Sequence, residues 1–61
     1  AILRLKKSFT LDPNDEVAAH LGEVLWNVGK RSEANAIWQQ GLRLKTDSKI
    51  IAATRKRLLA H

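Results

Sequence analysis

Sixty-one residues are enough for one small domain at most, and a chain of that length buries only about 60% of the surface it exposes when unfolded, so its core has little stability in reserve. The absence of cysteine excludes a disulfide framework and a thiolate metal site, and no apolar run approaches the ~20 residues of a membrane span. Eleven Lys and Arg against six Asp and Glu leave a net charge of +5. From Arg43 onward six basic residues face the one acid Asp47, a cluster that either attracts phosphate or acidic partners or keeps an outer face solvated.

The first stretch places Ile2, Leu5 and Phe9 at helical spacing, with small Ala1 and Ser8 beside them and Arg4, Lys6 and Lys7 elsewhere, which predicts a helix over 1–11. It starts without Met, in mid-pattern, and lacks the charged-then-apolar order of a secretory signal, so the chain is expected to be a fragment of a longer protein. Leu11-Asp12-Pro13-Asn14-Asp15 stops this helix, because the residue before a proline is disfavoured in the α region, and Asn14 or Asp15 can cap the next one.

A second helix is expected over 15–28, with Glu16 in its first turn and Ala18, Leu21, Gly22, Leu25 and Val28 on one stripe. A glycine inside a helix costs roughly 0.5–1 kcal/mol relative to alanine, so Gly22 implies that another helix comes too close for a Cβ. Gly29 can then supply the left-handed residue that closes this helix and Ser32 can cap the third, over 32–45, whose stripe is Ala34, Ile37, Trp38, Gly41 and Leu42. Small residues on one stripe face large ones on the other, as in an αα-hairpin with a loop of three or four residues. Asp47-Ser48 caps a fourth helix over 48–60, in which Ile51, Thr54, Arg55, Leu58 and Leu59 form a stripe interrupted by charge.

Sliding the chain on itself by 33 residues sets Ala1 on Ala34, Leu5 on Trp38, Ser8 on Gly41, Phe9 on Leu42, Leu11 on Leu44, Asp15 on Ser48, Ala18 on Ile51 and Leu25 on Leu58. Small meets small, large meets large and cap meets cap. The expected fold is all-α, about four helices with neighbours antiparallel, and the period points to a helical repeat rather than a generic bundle. Gly22 falls on Arg55, which is too large to admit a neighbour. The fourth helix is therefore expected to be a cap with Arg55, Lys56 and Arg57 on a solvated far side.

Ala18-x2-Leu21-Gly22-x2-Leu25, then Ala34-x3-Trp38, then Thr46 resembles the tetratricopeptide pattern of W-x2-L-G-x2-Y, A-x3-F and P. The departures are Ala18 for the first aromatic, Leu25 for Tyr and Thr46 for the closing Pro. The resemblance divides the chain into the second helix of a preceding repeat (1–13), one full repeat (14–46) and a C-terminal capping helix (47–61). The wording AAHLGEVLWNVGK is also similar to the last repeats of bacterial tetratricopeptide proteins, including outer-membrane lipoproteins that act as adaptors for envelope enzymes. Either the bacterial envelope or the cytoplasm is compatible with that likeness.

What the resemblance implies is a scaffold that binds another protein or a peptide on the concave face made by the first helix of each repeat. On this chain that face carries Glu16, Ala19, Glu23, Trp26 and Asn27, beside Lys49, Ala52, Lys56 and Leu59 of the fourth helix. Trp26 lies off the Leu21 and Leu25 stripe, as a contact residue or as packing for the solenoid. Ala19 and Glu23 stand where a carboxylate clamp needs Asn and Lys, so capture of a chaperone tail is not expected. Glu23 and Lys56, equivalent positions of adjacent units, are expected to come near each other.

No catalytic arrangement emerges: there is no glycine-rich phosphate loop, no paired carboxylate set in an apolar cleft and no nucleophile elbow, and Ser8, Ser32 and Ser48 lack a base. His20 has Glu16 and Glu23 one turn away on either side, a set that could in principle ligate a metal but that ordinary i,i+4 and i,i+3 partners of an exposed histidine explain without an ion, and His61 is terminal. No enzyme activity, cofactor or metal is expected. The alternative function is binding of nucleic acid or another polyanion through the basic C-terminal helix, against which no aromatic side chain interleaves with the basic cluster. Finally, Ile2, Leu5 and Phe9 are expected to remain half uncovered, which gives the fragment a self-association surface.

Overall fold

The computed structural model describes residues 2–60, so the equivalence of Ala1 with Ala34 and the terminal His61 lie outside the described residues. It contains four α-helices, α1 (Ile2–Leu11), α2 (Asp15–Asn27), α3 (Arg31–Leu44) and α4 (Lys49–Leu59), and no strand among the described residues. Each boundary falls within a residue or so of its expected place.

The ends of the helices follow from local chemistry. Asn14 is extended and its Oδ1 accepts from the Val17 N–H at 2.9 Å, while Asp15 and Glu16 occupy the first turn of α2, where a negative charge meets the helix dipole favourably. At the other end Gly29 takes φ +88°, the Lys30 N–H reaches Leu25 O at 2.8 Å and the Gly29 N–H reaches Trp26 O at 3.1 Å. This is the Schellman closure, which a Cβ at Gly29 would strain.

Ser32 does not cap α3. The helix starts at Arg31 with Lys30 in the cap position and no side-chain cap bond, because the closure of α2 turns the chain two residues sooner than a cap at Ser32 requires. Glu33 takes over the N-terminal electrostatics instead, within 3.6 Å of Lys30 and 3.4 Å of Lys6. Ser48 does cap α4, its Oγ accepting from the Ile51 N–H at 3.2 Å.

α2 is the centre of the packing and touches the other three helices, α3 most extensively, whereas α1 and α3 make no close backbone approach to each other. The molecule is thin, 31 × 26 × 14 Å. Its core is Phe9, Ala18, Ala19, Leu21, Leu25, Ala34, Trp38 and Ile51, with Trp38 the largest side chain fully withdrawn from water. A Cβ on Gly22 would overlap the Trp38 indole at Nε1, Cδ1 and Cε2, so the glycine is what lets the ring lie flat against α2. Gly41 does the same service for Ala18 and Ile51, since a Cβ there would fall 2.6 Å from the Ala18 methyl. Val28, assigned to the α2 stripe on periodicity, is instead exposed, because it stands beyond the last turn where no neighbour reaches it.

Candidate interaction face on α2 and α4

Two side-chain bonds join α2 to α4. Near the start of both helices the Ser48 hydroxyl donates to Asp15 Oδ2 at 2.6 Å, and two turns further on Arg57 Nη2 donates to Glu23 Oε1 at 2.8 Å. The first hydroxyl works twice, capping α4 and tying it to α2. These partners also set the charges: the Ser48 bond, with help from the Lys45 ammonium, holds the Asp15 carboxyl below its ordinary value. Glu23 is lowered by its hydrogen bond and attraction to Arg57, whose guanidinium is correspondingly harder to deprotonate.

The expected neighbour of Glu23, Lys56, is therefore replaced by Arg57, one position along. Helix α4 is rotated so that Arg57 turns back toward α2, and Lys56 stays exposed without an ion pair among the described residues. Arg55 departs from expectation as well. It is half-buried, with its guanidinium 5.9 Å from the centroid of the Trp38 ring. Of the three charges assigned to a solvated far side, only Lys56 is left to water alone.

Trp26 and Trp38 stack with centroids 5.6 Å apart at an interplanar angle of 32°, and Arg31 lies 4.7 Å over the Trp26 ring. Arg31, Trp26, Trp38 and Arg55 thus form a continuous ladder across α3, α2 and α4, with cations over the outer rings at both ends. The one aromatic ring beside the basic C-terminal cluster, Trp38 under Arg55, is fully buried and offers no face to a base. Trp38 Nε1 and Arg55 Nε are buried without a hydrogen-bond partner. This is the polar cost of packing an indole and a guanidinium into an apolar joint. Nothing in the sequence marked Arg55 or Arg31 as a partner of a tryptophan ring.

Among the other residues assigned to a partner face, Glu16, Asn27, Lys49, Ala52, Lys56 and Leu59 are exposed, and Trp26 is half-buried. Ala19 is not available to a partner: it is 3% exposed and part of the core. The self-association stripe is covered in part. Phe9 is buried at 8% and Ile2 and Leu5 are half-buried, whereas the apolar side chains that α1 does expose are Leu3 and Leu11, at 82% and 74%. Periodicity identified the inward stripe of α1, which packs against α2.

A second opening lies between α1 and α3. One cavity of about 310 Å³ has Lys6, Phe9 and Thr10 on one wall, Glu33, Ile37 and Gln40 on the other, and Leu21 and Leu25 in its floor. A neighbouring cavity of about 330 Å³ shares Phe9, Thr10 and Gln40 with it and continues to Pro13, Arg43 and Leu44. His20 is exposed, and no group of three or more His, Cys, Asp or Glu side chains is gathered as for a metal among the described residues. No helix there is long and apolar enough to cross a membrane. No family model matches the chain, and no curated protein or solved structure shows a significant similarity to it.

Proposed function

We propose that the chain is a protein-interaction module of the tetratricopeptide kind, in which α2 and α3 form one antiparallel helix pair, α4 opens the next unit, and a partner segment lies along α2 and α4. The observation that carries this reading is the spacing of the two bonds between those helices. Asp15 and Ser48 are 33 residues apart and Glu23 and Arg57 are 34 apart, so α4 sits beside α2 in the same direction, displaced by one repeat period. The three-residue connection between α2 and α3 and their extensive contact fit an antiparallel pair. Along α2 and α4 the exposed groups are mixed, with Glu16 and Asn27 on one helix and Lys49, Lys56 and Leu59 on the other. The half-buried Trp26, steadied by Arg31 and Trp38, is the aromatic anchor such a surface needs.

The test is selection of peptides from a displayed random library on the full chain, followed by solution anisotropy. Selected peptides should lose about 30-fold in affinity on Trp26→Ala and several-fold on Lys56→Glu, and should change little between 50 and 200 mM salt. A single-stranded dT oligonucleotide that binds more tightly than any peptide and loses ~10³–10⁵ in affinity over the same salt range would replace this reading with polyanion binding.

A further inference from the structure

The geometry points to a second binding site, the furrow between α1 and α3, whose occupant is a short extended peptide carrying two apolar side chains at alternate positions followed by a carboxylate. The site stands on different residues from the α2–α4 face and does not depend on it. Its lining is apolar: Phe9, 8% exposed, and the half-buried Ile37 offer carbon surface to an entering side chain, with Leu21 and Leu25 fully withdrawn from water beneath.

Dimensions select an extended occupant. From Glu33 to Leu44 the α3 wall is about 16 Å long at 1.5 Å per residue, which an extended segment covers in about five residues. The two cavities share Phe9, Thr10 and Gln40, and the residues lining them step by on the order of 4–9 Å from one cavity to the next at that helical rise. Alternate side chains of an extended chain project to one side every ~6–7 Å, inside that range. Between the cavities stand a hydroxyl and an amide on opposite walls. Thr10 spends its proton on Lys6 O at 2.9 Å and keeps lone pairs for a peptide N–H, while Gln40 makes no side-chain hydrogen bond among the described residues and can both donate and accept.

Charge fixes the direction. At one mouth Lys6 at 3.4 Å and Lys30 at 3.6 Å both engage Glu33, so the cations there already hold a carboxylate of the chain itself. At the other mouth Arg43 is exposed and has no ion pair among the described residues, and it lines the second cavity beside Leu44. A carboxylate just past the second apolar side chain meets Arg43, and a free guanidinium suits it geometrically. A chain with a net charge of +5 also draws an acidic segment in preference to a second copy of itself.

The experiment uses fluorescein-labelled hexapeptides of sequence Gly-Leu-Thr-Phe-Glu-Glu, the same peptide ending Gln-Gln, and the same peptide with both apolar residues changed to Ala, each titrated with the full chain and followed by amide chemical shifts. The acidic apolar peptide should bind, with shifts centred on Thr10, Ile37 and Gln40. Affinity should fall about five- to tenfold on Arg43→Glu or on loss of the two glutamates, and should vanish on Ala36→Trp, which fills the first cavity from an exposed position. Trp26→Ala should leave it unchanged. The site is wrong if no binding is seen up to about 1 mM, if Arg43→Glu and Ala36→Trp both bind as well as the parent, or if the shifts fall on Trp26 and Lys56 instead.

Discussion

Helix α2 is gripped by two neighbours in two different ways. Toward α3 the contact is close, apolar and dry: Gly22 admits the Trp38 ring, Ala34 and Leu25 are wholly withdrawn from water, and no side-chain hydrogen bond crosses it. Toward α4 the contact is narrower and more specific, with the Ser48 and Arg57 bonds at its ends and Ile51 in the shared core, while the Arg55 guanidinium reaches past α2 to Trp38 of α3. Burial of apolar area involves no titrating group and is not screened by ions, while bonds to half-exposed carboxylates respond to both pH and screening. The hairpin is therefore the stable unit, and α4 is a conditional addition to it.

That contrast breaks first at Trp38. A chain of this size has a stability of roughly 3–9 kcal/mol at ~0.05–0.15 kcal/mol per residue, and truncating a fully buried tryptophan costs about 3–5 kcal/mol. Trp38→Ala should leave the chain largely unfolded by circular dichroism at 25 °C. If it melts cooperatively near the parent temperature, the hairpin is not the stable unit. Gly22→Ala is a sharper probe because the sign is unusual. In an ordinary helix the change adds about 0.5–1 kcal/mol of stability; here the methyl meets the indole and should cost about 1–3 kcal/mol instead. In a Trp38→Phe background, where the colliding five-membered ring is gone, the same methyl should cost less, and thermal melts of the four proteins measure that coupling.

The hairpin was the part of the fold most open to sequence reading, for a physical reason. Close packing needs a small residue opposite a large one at fixed spacing, and Gly22, Ala34, Trp38 and Gly41 carry that pattern in residue types alone. Caps are nearly as legible when a polar side chain must meet an orphan N–H, as at Asn14 and Ser48, and they fail where the backbone closes the turn by itself, as at Ser32. The α2–α4 joint was legible only in its period. Whether position 56 or 57 turns inward is decided by a rotation of about 100° about the helix axis, which a stripe as sparse as Ile51, Thr54 and Leu58 leaves open. The candidate face inherited that looseness, gaining Ala19, which the core takes up, and missing Arg31, whose role depends on a ring from another helix. The furrow between α1 and α3 had no signature, because it is made by two helices that fail to meet.

At the α4 joint the effects become smaller and local. Ser48→Ala removes both the cap of α4 and the donor to Asp15, and should cost about 1 kcal/mol, the usual value for a lost cap. Hydrogen exchange should place the loss in the amides of 49–59 with those of the α2–α3 hairpin unchanged. Equal loss across all four helices would mean that α4 and the hairpin open as one unit.

The pH response divides the two contacts most finely. Asp15 is lowered by its bond from Ser48 and by Lys45, and Glu23 by its bond from and attraction to Arg57. A carboxyl whose native pKa lies below its unfolded value stabilises the native state in full above the unfolded pKa and loses that contribution as pH falls through the native one. The joint should therefore be unaffected down to roughly pH 5 and weaken progressively below it, while the contact of Trp38 with Gly22, which contains no titrating group, stays as it was. Exchange rates of the α4 amides, corrected for intrinsic rate, should rise between about pH 5 and pH 3 before those of the hairpin do. In Asp15→Asn, Glu23→Gln that rise should be absent because the acid-sensitive bonds have already been replaced. If the double variant and the parent respond to acid identically, the two carboxylates do not hold α4 and its attachment rests on Ile51 and the stacked arginine alone.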